Sequence, residues 1–356
     1  MGLPILPQLL NYHPANFSTE ASGMPEVPES PKNVLLFCGT DGHGVTSCAV
    51  SLRNLRDEGH NVQVVSKFPD TQFAKLFWEK TAPNTPLPPK PCMVVVVDIP
   101  VDAGNPHSAA EMVRRWRNEG CEVWIVDHHK SSEMAFSLLA EAGARLRISP
   151  NAAFTYYGDR SDDWTRKWMR IGAITDRDKA VLPVTEEEML LADGLDESVR
   201  RPDGPVLTIR EILDDREDEI RARGERFRER IRDALSKVKV ERVGPDAAII
   251  EGPVPPGLRF KMMDRVAQDL GVCYAAVKTT LLDREYNREM DHVTVITNWR
   301  KECISARAKL LDVEREIPPV EVRGHDEAPT YVFEKGDGDR FIARVREDLS
   351  RQPMRG

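Results

Sequence analysis

From residue 33 onward, short runs of apolar, β-favouring residues alternate with polar stretches that carry helical spacing. Val34-Leu35-Leu36-Phe37, Asn61-Val62-Gln63-Val64-Val65, Met93-Val94-Val95-Val96-Val97 and Val123-Trp124-Ile125-Val126 read as four strands. Runs that are apolar at nearly every position need cover on both faces, as the strands of a parallel sheet do. The spacing predicts a helix from Val45 to about Glu58, closed by Gly59, and another from Ser108 to Asn118. A short helical piece from Phe73 to Lys80 and a Pro-rich connector lie between the second and third strands. Strands and helices alternating in this way imply βαβ units.

The remaining stretches follow a different pattern. Residues 1–32 are rich in Pro, Ser and Asn, lack periodicity, and read as an N-terminal extension. Thr185 followed by Glu186-Glu187-Glu188 has the form of a capped helix start, with acids where the helix dipole favours them. From Ile209 to about Val240 the chain is highly charged, with apolar residues at helical spacing. This predicts a connecting helix between domains, with a coiled-coil partner helix as the alternative. A second α/β pattern then begins, with strands at Asp246–Ile250, Val272–Lys278 and His292–Ile296, an amphipathic stretch from Lys261 to Leu270, and a last helix from Phe341 to Leu349. The expected organisation is an extension (1–32), a parallel-sheet α/β domain (33–185), a helical connector (186–243) and a smaller α/β domain (244–356).

Composition narrows the function. With 356 residues, 40% of them hydrophobic, the chain can build two ordinary domains. A net charge of −8 gives no global basic field for long nucleic acids, although it leaves room for a local basic groove. No run of about 20 apolar residues is present, so no membrane span is expected. The six cysteines are scattered without a Cys-x-x-Cys pair, several within apolar runs, and predict reduced thiols in a cytoplasmic protein.

Candidate chemistry lies at the ends of the strands. The first strand leads into Gly39-Thr40-Asp41-Gly42-His43-Gly44-Val45-Thr46-Ser47, the third ends in Asp98, and the fourth runs into Asp127-His128-His129. Parallel strands end side by side, so these groups share one edge, where open α/β sheets bind ligands. Imidazole and carboxylate together suit a divalent transition metal. Asp176 follows the small-residue run Ile171-Gly172-Ala173-Ile174. Alone it reads as a helix cap or a solvated acid, and in company as a fourth ligand-bearing position.

These motifs, in this order, resemble those of the DHH phosphoesterase superfamily, and within it the RecJ-like and small oligonucleotide-phosphodiesterase members. The resemblance covers roughly residues 33 to 350. Its second-domain motifs, a Ser-x-Arg strand and a glycine-rich histidine loop, are met by Ser305-Ala306-Arg307 and Gly324-His325-Asp326-Glu327-Ala328. The resemblance implies a parallel-sheet DHH domain joined to a DHH-associated domain, one or two Mn²⁺ ions (or Mg²⁺ in their place), and hydrolysis of short oligonucleotides or single-stranded ends. It implies that His43, Asp98, His128 and Asp176 form one metal shell and that Asp41 and Asp98 hold the other. Asp127 would orient an imidazole, His129 would face the phosphate, and Arg307, Gly324 and His325 would contact substrate. The first motif departs from the family pattern. Gly39 stands where a ligand is usual and His43 where an acid is usual, which leaves a second expectation open: a relative that binds nucleic acid or a protein partner without turnover.

Overall fold

The structure, a computed structural model, describes residues 31–65, 77–102, 104–149, 162–200, 203–283, 286–324 and 326–350. Residues 1–30 of the N-terminal extension, residues 73–76 of the predicted helical piece, and His325 lie outside the described residues.

Strands β1 (Asn33–Cys38), β2 (Asn61–Val65), β3 (Cys92–Val97), β4 (Glu122–Asp127) and β5 (Arg145–Ile148) form one sheet in the order β2-β1-β3-β4-β5. Every pairing in it is parallel. On one face pack α1 (Gly42–Asp57) and α3 (Asp163–Thr175), and on the other α2 (Pro106–Asn118). The unbroken apolar runs of β1 and β3 follow from this double cover, because both sets of alternate side chains enter a core. The chain reverses its direction of strand addition between β1 and β3. In sheets of this order that switch point opens the ligand crevice.

Three helices, α4 (Glu186–Ser198), α5 (Gly204–Leu213) and α6 (Glu217–Leu235), connect the two sheets. The single charged segment expected over 209–240 is thus divided, with α5 ending at Leu213. Helices α4 and α6 cross closely at Gly194 and Gly224, where an added Cβ would lie 2.0 Å from the Ile220 carbonyl oxygen and 2.1 Å from that of Leu190, respectively. Inside the bundle, the Arg223 guanidinium forms a two-point ion pair with Glu211.

The second sheet, in the order β10-β11-β9-β8-β7-β6, comprises β6 (Lys239–Val243), β7 (Ala247–Glu251), β8 (Tyr274–Asp283), β9 (Arg288–Thr297), β10 (Glu321–Arg323) and β11 (Thr330–Glu334). Only β7 and β8 pair in parallel, linked by α7 (Arg259–Asp269). Helix α8 (Asp337–Ser350) covers the opposite face. The protein is therefore α/β, with an N-terminal parallel sheet joined through helices to a smaller α/β domain. The second sheet already begins at Lys239, inside the stretch read as connector.

The cysteine expectation is corrected. Cys38 pairs with Cys48, Cys92 with Cys121 and Cys273 with Cys303, so none is free. The partners come from neighbouring elements of the core, with Cα atoms 4.7 to 5.9 Å apart, and only the folded topology brings them together. They no longer argue for a reducing compartment. Among the described residues, no helix is long and apolar enough to cross a membrane.

Candidate metal centre

The site is assembled from loops at the carboxyl ends of β1, β3 and β4 and from the end of α3. Asp41 caps α1 by accepting a hydrogen bond from the Gly44 amide at 2.8 Å, which starts the helix at Gly42, earlier than its apolar pattern predicts. His43 therefore lies in the first turn of α1, fully buried. Gly172 of α3 permits this, because a Cβ there would collide with Thr46 Oγ1 at 2.1 Å and press on the His43 ring. Asp98 follows β3 in the left-handed region, at φ 55°, and its amide donates to the Val126 carbonyl. Asp176 is the C-cap of α3, so its cap role and its place in the cluster coexist.

Four of these side chains converge. Asp98 Oδ1 lies 3.0 Å from His43 Nδ1 and 3.1 Å from His128 Nε2, while Asp176 Oδ2 lies 3.4 and 2.9 Å from the same two nitrogens. His129 Nδ1 bonds Asp127 Oδ1 at 2.7 Å and stands 4.0 Å from Asp98. Asp127 is fully buried and also accepts from the His128 amide and the Ser132 hydroxyl. Ser132 in turn accepts from the Val101 amide. Ser132 is a positioning residue that carries no signal in the sequence.

Charge is tightly balanced. Burial alone would raise the Asp98 carboxyl, but His43, His128 and His129 outweigh it and hold it well below the carboxylate range. Burial likewise opposes protonation of the imidazoles, yet the facing carboxylates win: His43 is pushed up to about 9, His128 to about 11 and His129 to about 9. Asp41 is pushed up to about 7, first by desolvation and then by the charges of Asp98 and Asp176. Protons on the ring nitrogens thus offset the carboxylates, in the position a cation of higher charge would take.

The residues fit such a cation. His128 Nε2 is buried and makes no well-aligned hydrogen bond, despite its closeness to two carboxylate oxygens. Ligand atoms of His43, His128 and Asp176 lie within 4.8 Å of one another, as do those of Asp98, Asp127, His128 and His129. This mixed nitrogen and oxygen donor set suits Mn²⁺.

The expected substrate contacts of the second domain are only partly assembled. Ser305-Ala306-Arg307 is not a strand: Ser305 caps a short helix, Ala306–Lys309, by accepting from the Ala308 amide. A serine hydroxyl at a chain turn competes for backbone donors and favours a helix start. Arg307 is partly exposed and lies near Glu314 and Asp326. Gly324 adopts φ 88°, with the Ala328 carbonyl oxygen 2.8 Å from where a Cβ would stand. The two units are tied across the cleft. Arg177, directly after Asp176, donates to the Phe260 carbonyl at 3.3 Å, and Lys179 lies 3.7 Å from Glu327. Lys261 of α7 is held by Asp193 and Asp196 of α4.

This arrangement is a parallel sheet with acids and histidines at its carboxyl edge and a helical connector to a second α/β unit, and its fold is similar to that of solved RecJ and DHH-domain structures. Two solved structures share it. RecJ from Thermus thermophilus, in complex with Mn²⁺, matches with a TM-score of 0.50 and 15% identity over 90% of this chain and 52% of that one. The DHH domain of a member of the s1p family of ribosomal proteins matches with a TM-score of 0.51 and 15% identity, over 89% of this chain and 87% of that one. The chain spans about half the length of the Thermus protein. No family model and no curated protein matches the sequence.

Proposed function

We propose that the protein is a divalent-metal-dependent phosphodiesterase acting on short oligonucleotides or single-stranded nucleic-acid ends. The observation that carries this reading is the placement of His128 Nε2, unaligned for hydrogen bonding, between Asp98 and Asp176 at the β1/β3 switch point. His43, Asp98, His128 and Asp176 are the residues that would hold Mn²⁺ or Mg²⁺, with Asp41 beside them for a second ion. Such ions, when bound, neutralise charge on the phosphoryl oxygens and supply an acidic water near neutral pH. Asp127 holds His129 through Nδ1, and His129 would face the substrate phosphate. Arg307 and the Gly324–His325 loop would hold the substrate from the second domain, and the negative net charge favours short substrates over long duplexes.

The test is Mn²⁺-stimulated release of mononucleotides from a short end-labelled oligomer. Activity abolished by Asp98→Ala and by His128→Ala supports the reading. Gly39 favours a second one, binding without turnover, since the usual first-motif ligand is missing there. Retained oligomer binding with no release under Mn²⁺, Mg²⁺ or Co²⁺ would establish that alternative. A cytoplasmic location belongs to this proposal, and a protein partner to its second reading.

A further inference from the structure

Helix α3 ends in a Schellman motif. The Asp178 amide donates to the Ala173 carbonyl at 3.0 Å and the Arg177 amide to that of Ile174 at 3.1 Å, just past the Asp176 cap. Arg177 is thereby held in the left-handed region, at φ 60°. Helices α1, α2 and α7 close with the same pair of bonds and have Gly59, Gly120 and Gly271 at that position. In α5 the position is Asp215, whose short polar side chain is among the few that tolerate the region. Arginine is not. A long side chain in such a place persists only where its surroundings hold it against its backbone preference.

The surroundings here belong to the second unit. Arg177 Nη2 donates to the Phe260 carbonyl of α7 at 3.3 Å, and the guanidinium lies over the Phe260 ring at 5.9 Å. Its Nε stands 3.8 Å from Asp264 Oδ2, also on α7. Asp264 is 4% exposed, and its Oδ1 has no hydrogen-bond partner. Lys261, the neighbouring cation, is already engaged by Asp193 and Asp196, at 3.1 and 2.5 Å. Arg177 thus faces a buried carboxylate that would be strongly unfavourable without it.

On its other side, Arg177 is joined directly to Asp176. Asp176 Oδ2 faces His43 Nδ1 and His128 Nε2, at 3.4 and 2.9 Å. A single residue therefore spans the distance from the carboxylate–imidazole cluster to α7, and the Schellman bonds fix its backbone in between.

We infer that Arg177 is a positioning residue. It holds Asp176 toward the cation by anchoring the end of α3 on α7, which couples metal binding to the seating of the second unit. The inference rests on the metal-dependent reading and adds the link through which the second unit acts on the ion. Such coupling is reciprocal, so a bound ion seats α7 more firmly to the same extent.

The test titrates Mn²⁺ into the full chain without nucleotide, well below the melting temperature of each form, with free Mn²⁺ read by electron paramagnetic resonance. Arg177→Gly removes the side chain and keeps the turn, since glycine adopts this φ without strain. It also leaves Asp264 unpaired, so the double variant Arg177→Gly/Asp264→Asn removes both charges and is expected to melt near wild type. Both forms bind Mn²⁺ about 10- to 100-fold more weakly, the usual effect of losing an outer support of a metal ligand. Arg177→Lys recovers part of the affinity. In wild type, Mn²⁺ slows hydrogen exchange of the α7 amides, and in the double variant it does not. Wild-type Mn²⁺ affinity in the double variant would overturn the inference and leave the phosphodiesterase reading standing. A wild-type chain that binds Mn²⁺ but hydrolyses no oligomer would do the reverse. A wild-type chain that takes up no Mn²⁺ would overturn both.

Discussion

Gly39 faces the Asp98 carbonyl so closely that a Cβ added to it would lie 2.5 Å from that oxygen and 3.0 Å from an Asp98 carboxylate oxygen. Gly44 closes on Gly39 in the same way, with a Cβ 2.3 Å from the Gly39 carbonyl carbon. The missing ligand in the first motif is therefore not an empty place waiting for a side chain. The loop after β1 has closed onto the loop after β3. Placing an acid there should fail: Gly39→Asp is expected to destabilise the fold by about 3 kcal/mol through overpacking and to lower Mn²⁺ affinity by displacing Asp98. Urea denaturation and metal titration of this variant measure both effects. A Gly39→Asp chain that is as stable as wild type and binds Mn²⁺ more tightly would show that the loop adapts.

Much of this site was legible because parallel strands end on one edge. Once Val94–Val97 and Val123–Val126 were recognised as doubly covered strands, Asp98 and Asp127-His128-His129 had to be neighbours. What escaped was whatever depends on partners distant in sequence. The edge strand β5 alternates Arg145 and Arg147 with Leu146 and Ile148, a half-exposed pattern too short to separate from a loop. The disulfides join residues 10, 29 and 30 positions apart, and no local pattern marks those spacings. Arg307 looked like a strand residue because the family motif places it on one, while the local serine cap favours helix. Arg177 and Ser132 were invisible, since their meaning lies in what they face.

If the carboxylate–imidazole cluster holds a cation, metal should stabilise the fold by mass action. At 100-fold above its dissociation constant, an ion that binds only the native state contributes about 2.7 kcal/mol. Differential scanning fluorimetry with Mn²⁺ should therefore show a melting temperature raised by several degrees, returning to baseline with EDTA. His128→Ala removes one of the two nitrogens that face both Asp98 and Asp176, and should lose most of that shift. A full Mn²⁺ shift in His128→Ala would place the ion elsewhere.

Asp127 bonds His129 while staying buried, and its other oxygen accepts from the Ser132 hydroxyl. Asp127→Asn should preserve volume while weakening the hold on His129 Nδ1. Turnover on a labelled oligomer should fall about 10- to 100-fold, the usual cost of losing such a support, with the Mn²⁺-induced melting shift largely kept. Loss of the shift together with activity would make Asp127 a ligand rather than a positioning residue.

Asp291 provides the acid-side test of stability. It is buried on the α8 face of β9, where it accepts from the Thr280 hydroxyl at 2.6 Å and the Gly336 amide at 2.7 Å, with Lys278 at 3.6 Å. Burial alone would raise its carboxyl, but Thr280, Gly336 and Lys278 outweigh it and hold it below the ordinary value. A carboxyl depressed in the folded state contributes stability that is present above its unfolded pKa, near 3.8, and that disappears as pH falls through the lower folded value. Asp291→Asn should cost about 1–3 kcal/mol at pH 7, where a charged acceptor is lost. The gap from wild type should narrow as pH drops from 5 to 2, because protonation removes the same charge from wild type. Urea midpoints across that range measure it, and a gap of constant size would mean that the Asp291 charge contributes nothing to folding.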